Sequence, residues 1–191
     1  MLRRISVLLM ALSLLSLTSL AQAQIREKVD NVTYEVKADA SQSLGNLINA
    51  ASPINEDGRL FHGYTKWFVK WNLKWNSNAD GACKLSNVNI DVDVKVTLPV
   101  LVGSTSSVQK RQFNVYLAAL KEHEMGHVET AQKAAVQIEK LLNALPQMAS
   151  CAQLQEKANA LGEGVLKDAR QRDLDYDART KHGREQGAVL E

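Results

Sequence analysis

The segment best suited to chemistry is His123-Glu124-Met125-Gly126-His127, two histidines four residues apart with a glutamate between them. On a helix, residues four apart lie on one face, one turn apart. Two imidazoles so placed can converge on one Zn²⁺ at about 2.0–2.1 Å each. This H-E-x-x-H spacing is that of metal-dependent hydrolases, in which the glutamate is the general base. Zinc lowers the pKa of a water it activates to about 7. Glu124 can take that water's proton as it attacks a carbonyl and pass it to the leaving amine. Gly126 sits inside the predicted helix, where glycine costs about 0.5–1 kcal/mol against alanine. Close approach of another segment or of substrate would offset that cost. The opposing reading is a coincidental pair on a helix surface, but the chain holds four histidines and two of them make this spacing.

A catalytic zinc takes three protein ligands and keeps one position open. The sequence after the motif, Val128-Glu129-Thr130-Ala131, lacks the further glycine and histidine of a metzincin. The other histidines are His62 and His182. His62 reads as a hydrogen-bonded loop histidine in a turn before a strand. Around a turn near residues 145–149, His127 lies level with a position near 167. Glu163 and Asp168 are well placed by that arithmetic. His182 lies about 22 Å too far along a continuous helix at 1.5 Å per residue. It qualifies only if the helix ends near Arg172 and the chain folds back through Asp173, Asp175 and Asp177. The residues alone leave the third ligand open among these three.

The elements that must hold the motif follow from periodicity. Val32, Tyr34 and Val36 alternate, which predicts a strand over 31–37. A serine-capped short helix follows from Ser41, ended by Pro53. Trp67, Val69, Trp71, Leu73 and Trp75 fall on every second residue, as do Val88, Ile90, Val92, Val94, Val96 and Leu98. One polar turn joins the two runs, which predicts an antiparallel hairpin that Pro99 stops. The three tryptophans read as core beneath the helices, with a sugar-stacking surface as the rival. The chain then runs proline-free to Leu145 at helical spacing, as one long helix or two with a bend near Gly126. A second helix is expected from about Ser150 to Arg172, then a polar, aperiodic tail. The sum is an α+β domain, a small antiparallel sheet followed by a long helical hairpin.

Residues 1–23 carry Arg3 and Arg4, an apolar run from Ile5 to Leu20, and Ala21-Gln22-Ala23. That is the pattern of a secretory signal peptide cleaved after Ala23, leaving 24–191 as a single domain in the periplasm or outside the cell. The net charge of +2 equals the two arginines of that segment, so the rest of the chain is balanced. It has no basic excess to neutralise phosphates, which excludes nucleic acid as a partner. Cys83 and Cys151 are the two cysteines. In an oxidising compartment they read as one disulfide, and their spacing does not suit a zinc-thiolate site.

The order of features resembles the bacterial family catalogued as domain of unknown function 922, predicted secreted zinc-dependent proteases. The matching pieces are Phe61-His62-Gly63-Tyr64-Thr65-Lys66-Trp67, the Trp71 strand, Cys83, Thr97-Leu98-Pro99, the 123–127 motif, Cys151, and Tyr176-Asp177 through Thr180, His182 and Gly183. The resemblance implies a zincin-like peptidase with His182 as third zinc ligand beside His123 and His127. It also implies a role for Tyr176 on the oxyanion or the metal. The expected function is therefore zinc-dependent hydrolysis of a peptide or protein by a monomer without a membrane anchor. Glu124 is the base, and one sheet edge, Tyr64–Trp75 or Val88–Leu98, holds substrate as an added strand. The rivals are a non-catalytic envelope protein with a structural metal and a binding module using the tryptophan face.

Overall fold

The structure, a computed structural model, describes residues 24–56 and 58–190. The expected signal segment, 1–23, lies outside the described residues. Strand β1 (Gln24–Lys37) leads to α1 (Leu44–Ala51), capped by Ser43, and to the small antiparallel pair β2 (Ile54–Glu56) and β3 (Arg59–Phe61). The hairpin follows as β4 (Tyr64–Ser77) and β5 (Cys83–Val102). Two long helices complete the fold, α2 (Ser107–Asn143) and α3 (Cys151–Thr180), before a 3-10 turn at Arg184–Gln186. The class is the expected α+β.

The main sheet has the order β1-β5-β4. The β4–β5 hairpin is antiparallel, as the two alternating runs require. β1 adds to the other side of β5 in parallel, from Gln24↔Asn89 to Lys37↔Val102. It begins seven residues before the predicted strand. The charges of 26–30 hide it in the sequence, because most of β1 is exposed and Arg26 pairs with Asp91 at 2.8 Å. Pro99 does not stop β5. Pairing with β4 ends at Thr97, and pairing with β1 continues past the proline. Proline lacks an N–H, and at that residue β5 has only one paired neighbour, β1.

Val88, Ile90, Val92, Val94 and Val96 on β5 are all buried under Val128, Ala131, Ala135, Ile138 and neighbouring α2 residues. The alanine stripe lets a 37-residue helix lie close to the strand without a bend being required at Gly126. Trp67 and Trp71 are half-buried against the core. Their indole N–H groups donate to Asp173 (2.7 Å) and Asn159 (2.9 Å) on α3. That satisfies the core reading for these two and leaves neither as a stacking platform, while Trp75 is 37% exposed. Cys83 and Cys151 form the expected disulfide, joining the start of β5 to the start of α3. No helix among the described residues is long and apolar enough to cross a membrane.

α3 does not end near Arg172. It runs eight residues further, and only then do Lys181, His182 and Gly183 take positive φ (49°, 52° and 83°) and turn the chain back onto α2. The residues read as an aperiodic tail therefore supply the last two turns of α3 and a strap, 181–190, against the motif.

Candidate metal centre

His123, Glu124 and His127 lie on the inward face of α2, and all three are buried. The level arithmetic misplaced their neighbours. Beside them stand Asp173 and Asp177, six and ten residues past the expected 167. Side chains on a helix lean toward its N-terminus. Those of α2 therefore reach away from the connecting turn and those of α3 reach toward it, and both shifts raise the number of the facing residue. Glu163 and Asp168 are exposed on α3, away from the motif.

The imidazole Nε2 atoms of His123 and His127 each lie 3.1 Å from Asp177 Oδ1. One donor atom from each of the three residues fits within 4.8 Å of the others, so the trio can hold a metal ion. The third imidazole, His182, sits at the rim with Nδ1 3.5 Å from the same oxygen. Its ring is 45% exposed and stands edge-on to Phe61 at 5.1 Å. The outer nitrogens face protein acceptors. His127 Nδ1 is 3.0 Å from Asp173 Oδ1, whose other oxygen takes the Trp67 indole N–H. His123 Nδ1 is 3.0 Å from Gln186 Oε1. Two Nε2 atoms thus point at a carboxylate oxygen, an arrangement that requires protons or a cation between them, and the donor set fits a divalent cation.

Charge agrees with this geometry. Burial lowers the His127 pKa, but hydrogen bonds and charge from Asp173 and Asp177 outweigh it and raise the group to about 10. Burial pushes Asp177 upward, and the hydrogen bonds from His123 and His127 reverse that, holding its carboxyl well below the usual range. Glu124 moves upward, chiefly because it is buried. The Thr65 hydroxyl donates to Glu124 Oε2 at 2.7 Å. Gly63 makes room for this carboxylate, since a Cβ there would lie 2.6 Å from Glu124 Oε1.

A cavity of about 960 Å³ opens onto these groups, bounded by the β2–β3 hairpin on one side and the strap on the other. That is ample for several residues of an extended chain. β5 is paired on both sides from Asn89 to Thr97, so the Val88–Leu98 run offers no continuous free edge for a substrate strand. β4 is an edge strand, and its first residues, Tyr64 and Thr65, line the cavity. Beyond them Lys66, Lys70 and Lys74 are exposed, the kind of residue that blunts an edge.

Tyr176 is turned away from the cavity. Its ring stacks on His123 (centroids 5.0 Å, 8° between planes), and its hydroxyl donates to the His123 carbonyl at 3.2 Å. This explains Gly126, where any Cβ would collide with the phenol. Tyr176, expected on the oxyanion or the metal, thus stands behind His123 and does not line the cavity. His62 is the loop histidine expected. Both ring nitrogens are engaged, by Tyr116 (2.6 Å) and Asn49 (2.7 Å), and burial lowers its pKa. In the sequence Asp173 and Asp177 read as a helix break rather than as site residues, and Gln186 is not singled out. The signal for the first two is their own spacing of four, which puts them on one face of α3 while Asp175 lies on another.

A family model described as "Bacterial protein of unknown function (DUF922)" matches residues 31–183, well over half of the chain. No curated relative and no solved structure matches it.

Proposed function

We propose, from the premise that the chain belongs to this DUF922 family of bacterial proteins, that it is a zinc-dependent metallopeptidase with a zincin-like centre, exported and acting as a monomer. The observation that carries the reading is the convergence of His123 Nε2, His127 Nε2 and Asp177 Oδ1 beside a buried glutamate at a large cavity. Two imidazoles and one carboxylate are a ligand set of open, catalytic zinc sites. Zinc there supplies Lewis acidity, which makes a water nucleophilic near neutral pH and polarises the scissile carbonyl.

The rest is the work of this chain's own residues. His123, His127 and Asp177 would hold the ion. Glu124 takes the proton of the attacking water and returns it to the departing amine. Burial shifts its pKa upward, the direction that makes the carboxylate a stronger proton acceptor. The Thr65 hydroxyl fixes which carboxylate oxygen is free. His182, expected as the third ligand, flanks the open side where substrate enters. The disulfide supports an oxidising compartment, the periplasm or the exterior.

The test is hydrolysis of an unfolded protein substrate by the zinc-loaded chain 24–191, with fragments identified by mass spectrometry. Cleavage is expected, and Glu124→Gln lowers turnover 10²–10⁴-fold. Absence of cleavage by zinc-loaded wild type, or equal cleavage by Glu124→Gln, contradicts the reading. One observation favours a second reading, a structural metal in a non-catalytic envelope protein. His182 Nδ1 lies 3.5 Å from the shared Asp177 oxygen, a further imidazole at the rim of the site. A His182→Ala protein that gains activity, or binds zinc far more weakly, would support that second reading.

A further inference from the structure

We infer that Gln186, on the C-terminal strap, is a positioning residue of the metal centre. Its amide oxygen holds the proton of His123 on Nδ1 and so turns the Nε2 lone pair inward, and Tyr176 acts through it by fixing which way round the amide sits. The inference rests on the metal-binding reading of the site and is independent of peptidase activity.

A neutral imidazole carries its proton on one of two nitrogens, and only the other can bind a metal. At His123 the outer nitrogen meets two oxygens, Gln186 Oε1 at 3.0 Å and Thr180 Oγ1 at 3.3 Å. The Thr180 hydroxyl donates its own proton to the Tyr176 carbonyl at 2.8 Å, so its oxygen faces the ring as an acceptor. Gln186 is different, because an amide can offer either an oxygen or an NH₂ group. Its orientation is set by the network around it. The Tyr176 phenol donates to the His123 carbonyl and is left to accept from Gln186 Nε2, 3.0 Å away. The phenol oxygen lies farther, 3.3 Å, from Gln186 Oε1. That leaves Oε1 for His123. With the amide reversed, its NH₂ would occupy the Nδ1 lone pair and drive the ring proton onto Nε2, the nitrogen that faces Asp177.

The circuit closes on itself, His123 to Gln186 to Tyr176 and back to the His123 carbonyl. The fold is arranged to make it. Tyr176 seats on α2 only because Gly126 has no Cβ. The three consecutive positive-φ residues 181–183 bring Gln186 back over the ring. Left-handed backbone at Lys181 and His182 costs on the order of 1–2 kcal/mol per residue, a strain that persists where surrounding contacts enforce it. His127 needs no such device, because its partner Asp173 is a carboxylate and can only accept. Gln186 lies three residues beyond the family match, so the match does not point to it.

The experiment measures zinc affinity of the full mature chain by competition with a chromogenic chelator, with metal-free melting temperature as the check on folding. Gln186→Leu removes the acceptor and is expected to weaken zinc 10–100-fold. Gln186→Glu keeps an acceptor that cannot be reversed and is expected to match or exceed wild type. Tyr176→Phe keeps the stacked ring and loses only the hydroxyl. It weakens zinc in the Gln186 background and has no effect in the Gln186→Glu background. A merely structural role predicts no such rescue. The inference is overturned if Gln186→Leu binds within twofold of wild type, if Gln186→Glu is as weak as Gln186→Leu, or if Tyr176→Phe weakens both backgrounds equally. Should Gln186→Leu fail to fold, the Glu and Phe variants carry the test alone. A wild type that binds no zinc overturns the metal reading itself, a result distinct from all of these.

Discussion

Asp177 meets both motif histidines through a single oxygen, 3.1 Å from each Nε2. Asp173, Asp175 and Asp177 look alike on paper. Helical phase alone separates them, sending 173 and 177 toward α2 and leaving Asp175 exposed with Gln171. The 123–127 motif was legible because its spacing is itself the chemistry. Its partners come from an element whose phase is fixed by packing, and Gln186 comes from a turn with no periodicity at all. Protonation gives a prediction at this scale. His127 is raised from 6.5 to about 10 by the two aspartates against the pull of burial. The stabilisation of the metal-free fold from that charged pair is complete below about pH 6.5 and is lost as pH rises through about 10. On the proposed reading, zinc displaces that proton at neutral pH. Calorimetry at pH 7–8 is expected to show about one proton released per zinc from this group, read from the buffer dependence of the heat. Buffer-independent heat would contradict the assignment. Gly126→Ala is a second case. Alanine favours a helix, but here the methyl group displaces the Tyr176 ring. A net loss of about 1–3 kcal/mol in denaturant unfolding is expected, with weaker zinc binding. A stabilised variant would show that the ring is free to move.

At the scale of elements, the strong alternation of β4 and β5 and the apolar stripe of α2 were readable, and each formed where the pattern put it, with β5 running on past Pro99. β1 was half readable. As an exposed edge strand it buries little, so backbone pairing, the Arg26–Asp91 pair and the partly buried Ile25 hold residues 24–30 extended. The end of α3 was misread because three aspartates resemble a breaker. Instead, Asp173 receives the Trp67 indole N–H and faces His127, so tertiary contacts pull the helix through them. α3 is therefore held to the sheet by two indoles and by the disulfide. Trp71 also packs into the notch left by Gly162, where a Cβ would come within 2.6 Å of its ring. Trp71→Ala is expected to cost about 3–5 kcal/mol, measured by denaturant unfolding, and a loss under 1 kcal/mol would show that α3 does not depend on it. The disulfide closes a 68-residue separation. Chain-entropy arithmetic for such a loop gives roughly 4 kcal/mol. Reduction should lower the unfolding midpoint accordingly, and an unchanged midpoint would mean that the bond constrains little of the unfolded chain.

Across the whole molecule, one sheet, two helices and a returning strap meet at a single point. β4 contributes Thr65 and the loop before it Gly63, both behind Glu124, α2 the motif, α3 the aspartates, and the strap His182 and Gln186. The fold class was within reach of the sequence because it depends on pattern. The closure of the site was not, since it depends on how far α3 extends before the chain reverses. On the proposed reading, metal binding is a property of the assembled fold, and zinc is expected to stabilise it by mass action as concentration rises above Kd. The most direct test of the central claim is zinc stoichiometry by elemental analysis of the purified chain 24–191 after zinc loading and desalting, in wild type, Asp177→Ala and Glu124→Gln. One zinc per chain is predicted for wild type and Glu124→Gln, and little or none for Asp177→Ala. Wild type without zinc, or Asp177→Ala with a full complement, would contradict the account.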